Sequence, residues 1–246
     1  MFHTILYQPL FNLLIWLYNV IPGQDLGFAI IGISFLIRLA LWPLSRTSIK
    51  SQKALQDLQP KLDVLKIQYK GDKEGLAKAM MTLYKEEKVN PMSSCLPLLI
   101  QLPILWALYL VLRDGMVMDS LVNLYPFVAR PEAINLHFLG FINLAEANIT
   151  MAVIAGILQF IQTKMLMAKR PPKPLRKEPG VKDEDMMAQM NKSMLYFMPV
   201  MTVVIGASLP GGLTLYWIIM NVFAILQQAL AFRKKKVETV AVSEVK

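Results

Sequence analysis

An arginine inside an apolar segment is the residue whose type and position point most clearly to chemistry. Arg38 lies twelve residues into the stretch 26–44, which contains no other charged residue. At about 1.5 Å per helical residue, it lies about 9 Å from the end of that stretch. A charge well inside a membrane costs about 2.5–3.5 kcal/mol on insertion scales. We therefore expect water, neutral polar groups, lipid phosphate or an anionic ligand to solvate Arg38.

Neutral polar side chains are available near Arg38, whereas carboxylates are not. All seventeen acidic residues lie outside the apolar segments that we predict to span a membrane. Ser34 lies one helical turn before Arg38, and Asn221 and Gln228 share one face of the last segment. The other amides within these segments are Gln101, Gln159, Gln162 and Gln227.

These polar groups predict a hydrophilic cavity, because polar residues in membrane spans usually face the bundle interior. A cavity with one cation and several amides suits transient attraction of an acidic peptide segment. Alternatively, Arg38 snorkels to the inner membrane surface and the amides only join helices. The lack of Asp, Glu and His in the spans argues against a proton- or cation-coupled transporter.

The sequence contains no motif for covalent chemistry. Cys95 is the only cysteine, which excludes an internal disulfide, and His3 and His137 are far apart and outside any cluster of metal ligands. Nucleotide-binding loops and catalytic triad motifs do not occur. We therefore expect no metal, no cofactor, no enzyme activity and no sequence-specific nucleic-acid binding.

The composition indicates an all-α integral membrane protein rather than a soluble helical domain. Of the 246 residues, 55% are hydrophobic and 17% are charged, and several nearly uncharged windows have the length of a membrane span. Pro210-Gly211-Gly212 separates the last two windows by a tight turn. The five predicted spans are residues 26–44, 96–112, 148–168, 193–209 and 213–232.

The distribution of basic residues predicts the orientation of these spans. The segments 45–92, 169–192 and 233–246 contain ten, seven and five basic residues, whereas 1–25 contains none and 113–147 contains two. The positive-inside rule then places the N-terminus outside and the C-terminus in the cytoplasm. We expect one domain, 1–246, in which 113–147 is an outer loop, 169–192 a cytoplasmic loop and 233–246 a basic cytoplasmic tail.

The first 25 residues predict an interfacial helix on the outer side. Segment 5–21 is apolar but interrupted by polar residues, and its leucines fall on one helical face. Trp16, Tyr7 and Tyr18 suit the level of the lipid headgroups. A sixth span is the alternative, although no basic residue would then hold the N-terminus inside. A cleavable signal is not expected, because residues 1–24 contain no Lys or Arg.

Segment 45–92 predicts a cytoplasmic helical hairpin. Leu55, Leu58, Leu62, Leu65 and Tyr69 form an apolar seam, which ends at Gly71-Asp72 and resumes at Leu76. We expect antiparallel helices at about 46–70 and 73–89, with a kink at Pro60. The hairpin is interpreted as a docking arm for anionic surfaces or, alternatively, as a solvated linker. Its candidate recruitment residues are Lys61, Lys66, Lys70, Lys73 and Lys78.

Three stretches in this order resemble the YidC family of membrane protein insertases, which includes the mitochondrial oxidase-assembly and chloroplast albino proteins. They are FLIRLALWPL at 35–44, CLPLLIQLPI at 95–104 and PGGLTLYW at 210–217. The resemblance extends from about residue 5 to 233. It implies five core helices around a hydrophilic groove that is open to the cytoplasm and to lipid and closed on the outer side.

The resemblance also implies roles for particular residues. Arg38 would attract the polar outer portion of a client, whose apolar segment would slide past Ser34, Tyr216 and Trp217. The helical hairpin would recruit clients, without covalent chemistry or an energy source. The implied partners are nascent membrane proteins, the ribosome, signal-recognition components, the Sec translocon and membrane lipids, at the bacterial plasma (inner) membrane. Helix folding by such a chaperone would accompany insertion.

Some features of the family pattern differ or leave alternatives open. We expect neither the large periplasmic domain of Gram-negative members nor the span before it, and the tail has one short lysine run, Lys234 to Lys236. A solute or lipid transporter and a chaperone that only assists helix folding are the rival interpretations. The methionine-rich stretch 186–201 fits either an adaptable client surface or ordinary packing.

Overall fold

The computed structural model describes residues 2–69, 71–90, 96–115, 121, 123–167 and 193–243, and this part of the chain is mostly helical. π-Helical turns at His3–Tyr7 and Ser193–Phe197 precede two of the α-helices. The only strands among these residues, β1 (His137–Phe138) and β2 (Ile142–Asn143), pair antiparallel. The helices are α1 (Gln8–Val20), α2 (Leu26–Ala40), α3 (Trp42–Asp57), α4 (Gln59–Gln68), α5 (Lys73–Glu86), α6 (Leu96–Gly115), α7 (Ile149–Met167), α8 (Met198–Gly206) and α9 (Gly211–Ser243). The predicted all-α class is therefore confirmed at this level.

One helix among the described residues has both the length and the hydropathy of a membrane span. It is the segment Gly211–Ala231 of α9, and Leu26–Ala40 with Trp42–Leu55 would count as a second span if the two formed one bent element. Ile149–Met165 and Leu195–Gly206 are apolar but shorter. The five-span arrangement therefore stays a prediction.

The helices expose large apolar side chains, which a protein surrounded by water would bury. Exposed side chains of this kind occur on α2, α6, α7 and α8, in addition to α9. A surface of this composition suits contact with lipid, because hydrocarbon does not penalise it. Examples are Phe28, Phe35, Leu39, Leu99, Leu102, Trp106, Ile154, Ile157, Val200, Val204, Val222 and Leu226.

Helix α2 is shorter than the predicted span 26–44. It ends at Ala40, and Leu41 leaves the helical conformation before α3 begins at Trp42. Pro43 explains the break, because its ring cannot donate a backbone hydrogen bond and collides with the preceding turn. As a result, Arg38 lies in the last turn of α2 rather than in its middle.

The predicted helical hairpin consists of α3, α4 and α5. Its first arm is interrupted at Leu58, and Pro60 occupies the second position of α4, so the predicted interruption near this proline is confirmed. Gly71 has a φ angle of 88°, a conformation that favours glycine. Asp72 caps α5 by accepting a hydrogen bond from the Gly75 N–H at 2.9 Å.

Part of the predicted apolar seam is buried between α4 and α5. Leu58 and Leu62 are buried, whereas Leu55 and Leu65 are half-buried. Tyr69 is exposed at the end of the seam. The two helices pack on each other, as the apolar spacing predicts. Lys70, Cys95, the loop 169–192 and the methionines within that loop lie outside the described residues.

The chain forms two compact units. The first contains 1–42, 98–159 and 199–224, and the second contains 43–97, 160–198 and 225–246. The hydrophobic core of the first unit includes side chains from α1, α2, α6 and α9. In the second unit, α4 and α5 form the main helix pair that the structure describes.

Helix α1 belongs to the core of the first unit. It packs on α2, and its side chains Phe11, Leu14 and Ile15 are fully buried. Tyr7 and Tyr18 are buried as well, and their hydroxyls have hydrogen-bond partners within the protein, while the headgroup depth expected for them stays a prediction. Trp16 remains exposed, as that expectation requires.

The segment 113–147 is hydrogen-bonded to the N-terminal helical segment through polar side chains. The Tyr7 hydroxyl donates to Asp114 Oδ2 at 3.0 Å, and the Tyr18 hydroxyl accepts from the Asn135 N–H at 2.7 Å. Asn12 accepts from the Tyr125 N–H at 2.6 Å. The polar residues that interrupt this apolar segment therefore fasten the loop to the helix.

Candidate functional site

Arg38 and Ser34 are positioned by successive turns of α2. Ser34 is fully buried, and its hydroxyl donates to the Ile30 carbonyl one turn earlier in the same helix. A serine bonded in this way offers its oxygen lone pairs, rather than its proton, to other groups. Arg38 is half-buried and always charged at neutral pH. Because α2 contains no acidic residue, this helix presents a net positive charge.

Tyr216 from α9 and Gln101 from α6 lie at the same site as Arg38. The Gln101 side-chain amide donates to the Tyr216 hydroxyl, and this hydroxyl is within electrostatic range of the Arg38 guanidinium. Tyr216 is fully buried, while Gln101 is half-buried. Three residues that are distant in sequence therefore lie near one another within the first unit, and their role in a groove stays a prediction. We call Arg38, Tyr216 and Gln101 the polar cluster.

The start of α9 holds Tyr216 in place. The Gly211 N–H donates to the Glu146 carbonyl at 2.8 Å, and the Gly212 N–H donates to the Leu144 carbonyl at 2.9 Å. A Cβ on Gly212 would lie 3.1 Å from Ile30 Cδ1, so glycine permits close approach of α9 to α2. The turn that separates the last two predicted spans thereby fixes the position of Tyr216 relative to α2.

The polar cluster combines a permanent cation with neutral hydrogen-bonding groups. An amide and a phenol are neutral groups, so neither of them cancels the positive charge of Arg38. The attraction is stronger at a half-buried site than in bulk water, where two charges 4 Å apart gain only about 1 kcal/mol. The arrangement suits reversible binding of a carboxylate or a phosphate and supplies neither a nucleophile nor a general base.

Two of the other predicted groove residues join helices to each other. Gln159 of α7 accepts from the Thr202 hydroxyl of α8 at 2.6 Å. Asn221 of α9 donates to the Ala155 carbonyl of α7 at 3.3 Å. For these two amides, the observed contacts agree with the alternative that they join neighbouring helices. Trp217 is half-buried beside Tyr216 in sequence.

Gln162 and Gln227 belong to the second unit, on α7 and α9. Gln162 is half-buried and Gln227 is buried. The hydrogen bonds that define the polar cluster involve neither amide. Their assignment to the groove therefore stays a prediction.

Three of the five candidate recruitment lysines form ion pairs within the helical hairpin. Lys61 pairs with Glu87, Lys66 with Asp63 at 2.9 Å and Lys78 with Glu74 at 2.7 Å. Lys73 begins α5. Lys70 is outside the part of the chain that the structure describes. The exposed pairs of Lys61 and Lys78 contribute little stability, so these two lysines remain able to exchange partners, whereas the Lys66 side chain is mostly shielded from solvent.

Sequence reasoning missed several residues that organise the first unit. Thr202 is buried and bonds Gln159, yet threonine is too common in apolar helices to attract notice. Asp25 caps α2 by accepting from the Gly27 N–H at 2.7 Å and also accepts from the Leu139 N–H at 2.8 Å. An Asp immediately before an apolar helix is a recognisable N-cap signal, but the second contact depends on the tertiary structure.

Comparisons with known proteins identify relatives along most of the chain. The family model described as 60Kd inner membrane protein matches residues 16–238. A membrane protein insertase YidC of Fusobacterium nucleatum is 35% identical over 210 residues, which cover 85% of this chain and 87% of that protein. The YidC insertases of Nitrosococcus oceani and Francisella philomiragia are 32% and 34% identical and are covered to 36% and 35% of their lengths.

The relatives differ in how much of their length the chain covers. The chain spans nearly all of the Fusobacterium protein and about a third of the other two. The match includes Arg38, Gln101 and Tyr216, since all three lie within 16–238. On this evidence, the chain belongs to the 60Kd inner membrane protein family, which its sequence resemblance had indicated.

Proposed function

We propose that this protein is a membrane protein insertase of the bacterial inner membrane and that Arg38 attracts acidic segments of its clients. Family membership and the names of the relatives support insertion of membrane proteins as the activity. The polar cluster is the observation that supports the role of Arg38, because this half-buried arginine lies on a helix without acidic residues and near the Tyr216 hydroxyl. The proposed reaction includes no covalent step.

The proposed architecture has five membrane spans around a hydrophilic groove, with the N-terminus outside and the C-terminus in the cytoplasm. Its support is the exposed apolar surface of α2, α6, α7, α8 and α9 and the concentration of basic residues in three segments. The groove would be lined by Arg38, Ser34, Tyr216 and Gln101. Gln159, Gln162, Trp217, Asn221 and Gln227 complete the proposed set.

The proposed mechanism lowers the barrier for a polar segment and then uses lipid to complete insertion. Arg38 offsets the cost of a client carboxylate in a poorly solvated environment by about 1–4 kcal/mol at 4 Å, depending on the effective dielectric constant. The client's apolar helix then leaves the groove for lipid, at about 25 cal/mol per Å² of apolar surface. No nucleotide is consumed in this scheme.

The proposed partners follow from this role. Nascent membrane proteins are the clients, and membrane lipids receive them. The helical hairpin, through lysines such as Lys61 and Lys78, would contact the ribosome, signal-recognition components or the Sec translocon. The exchangeable ion pairs of the hairpin support such contacts, since a stronger anionic partner replaces Glu87 or Glu74 at little cost.

Reconstitution in liposomes tests the function and the role of Arg38 together. Protease protection of a single-span client with an acidic outer tail measures insertion by the native protein, Arg38→Ala and Arg38→Lys. We expect Ala to reduce the insertion rate about tenfold, equivalent to about 1.4 kcal/mol, and Lys to retain most of it. A client with a neutral tail is expected to respond much less.

Arg113→Ala is the matched control, because Arg113 is an exposed arginine at the end of α6 that pairs with Asp114 at 2.9 Å. It is expected to insert both clients normally. Equal insertion by all Arg38 variants would refute the charge mechanism but not the insertase activity. No insertion by the native protein, with saturable flux of a solute instead, would favour the transporter alternative.

A further inference from the structure

We propose that the tip of the outer β-hairpin, Leu139 with Phe141, inserts into the outer leaflet at headgroup depth and anchors the outer end of α2 there. The tip connects β1 and β2, and its occupant is a lipid surface. The inference rests on the proposed function in one respect only, namely that α2 crosses the membrane with its Asp25 end outside.

The tip is apolar and exposed. Leu139 and Phe141 are 53% and 74% exposed, which is unusual for two large apolar side chains flanking a single glycine. The segment 133–145 contains no Asp, Glu, Lys or Arg, so no charge has to be desolvated when the tip approaches lipid. Water is therefore the less favourable surrounding for this turn.

Two backbone N–H groups of the tip have partners that do not depend on water. The Leu139 N–H donates to Asp25 Oδ2 at 2.8 Å, and the Phe141 N–H donates to the Phe138 carbonyl at 3.3 Å. Leu139 and Gly140 have positive φ angles of 55° and 81°, and the first is disfavoured for leucine. Satisfied amides matter here, because an unpaired backbone group in an apolar medium is strongly destabilising.

The tip is continuous with the exposed apolar face of α2. The Phe138 ring packs on Gly27, where a Cβ would lie 2.1 Å from Phe138 Cδ2, and it contacts Phe28 edge to face at 5.5 Å between centroids. Phe28, Phe35 and Leu39 are exposed and lie on one face of α2. If this face contacts lipid, the same lipid surface reaches the β-hairpin.

The small size of the tip favours lipid over a protein partner. A stable protein interface buries about 800 Å² on each side, which two side chains do not supply. Interfacial anchoring requires much less area, since a shallow segment only has to bury its apolar side chains about 5–10 Å deep. The contact between Asp25 and Leu139 transmits this anchoring to the first turn of α2.

Fluorescence quenching in liposomes tests the proposal on the full chain. In a Cys95→Ser background, Phe141→Cys and Glu132→Cys are labelled with an environment-sensitive dye, Glu132 being an exposed residue of the same outer loop. Quenchers are iodide on both sides of the membrane and lipids with a nitroxide at the headgroup or deep in the acyl chain. Client insertion is measured in the same liposomes.

For the label at 141, we expect blue-shifted emission, loss of iodide quenching and stronger quenching by the headgroup nitroxide than by the deep one. The label at 132 is expected to be quenched by iodide. Equal iodide quenching of both labels would overturn the proposal, whether or not clients are inserted. Shielding at 141 that disappears on dilution with lipid would also overturn it, by indicating a second copy of the chain.

The two proposals can fail separately. Shielding of the 141 label by lipid without client insertion would sustain the anchor and contradict the insertase activity. Client insertion with an iodide-accessible label at 141 would support the insertase activity and contradict the anchor. Leu139→Cys provides a second label position, which guards against a local effect of replacing Phe141.

Discussion

At the scale of single residues, the contact between Tyr216 and Gln101 determines the surroundings of Arg38. The tyrosine is fully buried, and its hydroxyl accepts a hydrogen bond from an amide on another helix. This bond leaves the phenol proton to be donated elsewhere and holds the oxygen within electrostatic range of the guanidinium. The contact therefore places uncharged polar groups near the cation.

A double-mutant cycle measures this contact. Tyr216→Phe, Gln101→Leu and the double variant are unfolded in detergent micelles, and the free energies of unfolding are compared. We expect a coupling energy of about 0.5–1.5 kcal/mol between the two side chains, typical of a neutral hydrogen bond. Additive effects of the two substitutions would indicate that the bond does not contribute to stability.

The stability of the first unit is expected to depend on Tyr7 at alkaline pH. Burial, then the hydrogen bond to Asp114 and the charge of that carboxylate, raise the pKa of Tyr7 from 10.0 to about 12. The folded state thus favours the protonated phenol, whose contribution is complete below pH 10 and is lost as the pH rises through 12. Thermal unfolding of the native protein and of Tyr7→Phe from pH 7 to 12 measures this contribution to stability.

We expect the stability difference between the native protein and Tyr7→Phe to be largest near neutral pH and to shrink above pH 10. Other tyrosines and lysines titrate in both proteins, so the difference isolates Tyr7. A difference that stays constant up to pH 12 would contradict the raised pKa. At neutral pH, the lost bond to a charged acceptor is expected to cost about 1.5–3 kcal/mol.

At the scale of secondary-structure elements, small residues allow α7 and α8 to pack closely. A Cβ on Gly156 would lie 2.5 Å from Val203 Cγ2 and 3.0 Å from the Pro199 carbonyl oxygen. Hydrophobic burial does not drive helices together in lipid, so close packing and interhelical hydrogen bonds have to do so. The bond between Thr202 and Gln159 on the same pair of helices supplies the second contribution.

Gly156→Ala is expected to destabilise the protein by about 1–3 kcal/mol, because Val203 is stiff and the carbonyl belongs to the backbone. Gly32→Ala is the matched control on α2. There the new Cβ would lie 3.4 Å from Leu17 Cδ1, an ordinary contact, so the change is expected to be neutral or to stabilise by about 0.4–1 kcal/mol. Chemical unfolding in micelles compares the two. Equal effects would refute the close-packing argument.

At the scale of the whole molecule, charge and hydropathy set different parts of the proposed topology. The basic segments predict which loops face the cytoplasm, whereas the exposed apolar side chains indicate which helices contact lipid. Length alone would identify one span among the described helices, because α2 ends at Ala40 and the described part of α8 is short. A proline break and π-helical turns shorten these elements without making them polar.

Cysteine labelling in intact cells tests this topology. Ala147→Cys before α7 and Ala77→Cys in α5 are matched changes at exposed positions, introduced into a Cys95→Ser protein. A membrane-impermeant maleimide added outside is expected to label position 147 and not 77, and the reverse is expected in inside-out vesicles. Labelling of 77 from outside would contradict the orientation predicted by the positive-inside rule.

The sequence by itself determined the helical class and the family, whereas the role of Arg38 stays a prediction. Hydropathy windows and a charged residue within an apolar segment are local properties, so they can be recognised in the sequence without a structure. The break near Pro60 and the turn at Gly71 were likewise predictable, because proline and glycine restrict or free the backbone wherever they occur. The family resemblance was confirmed over residues 16–238.

Only the tertiary structure decided which polar side chains meet. Gln101, Gln159 and Asn221 look alike as amides in apolar segments, yet the first bonds Tyr216 and the other two join helices. The contacts of Tyr7 with Asp114 and of Asp25 with Leu139 also join residues over a hundred positions apart. The physical reason is that a hydrogen bond requires two groups within about 3 Å, and periodicity fixes the face of a helix but not its neighbour.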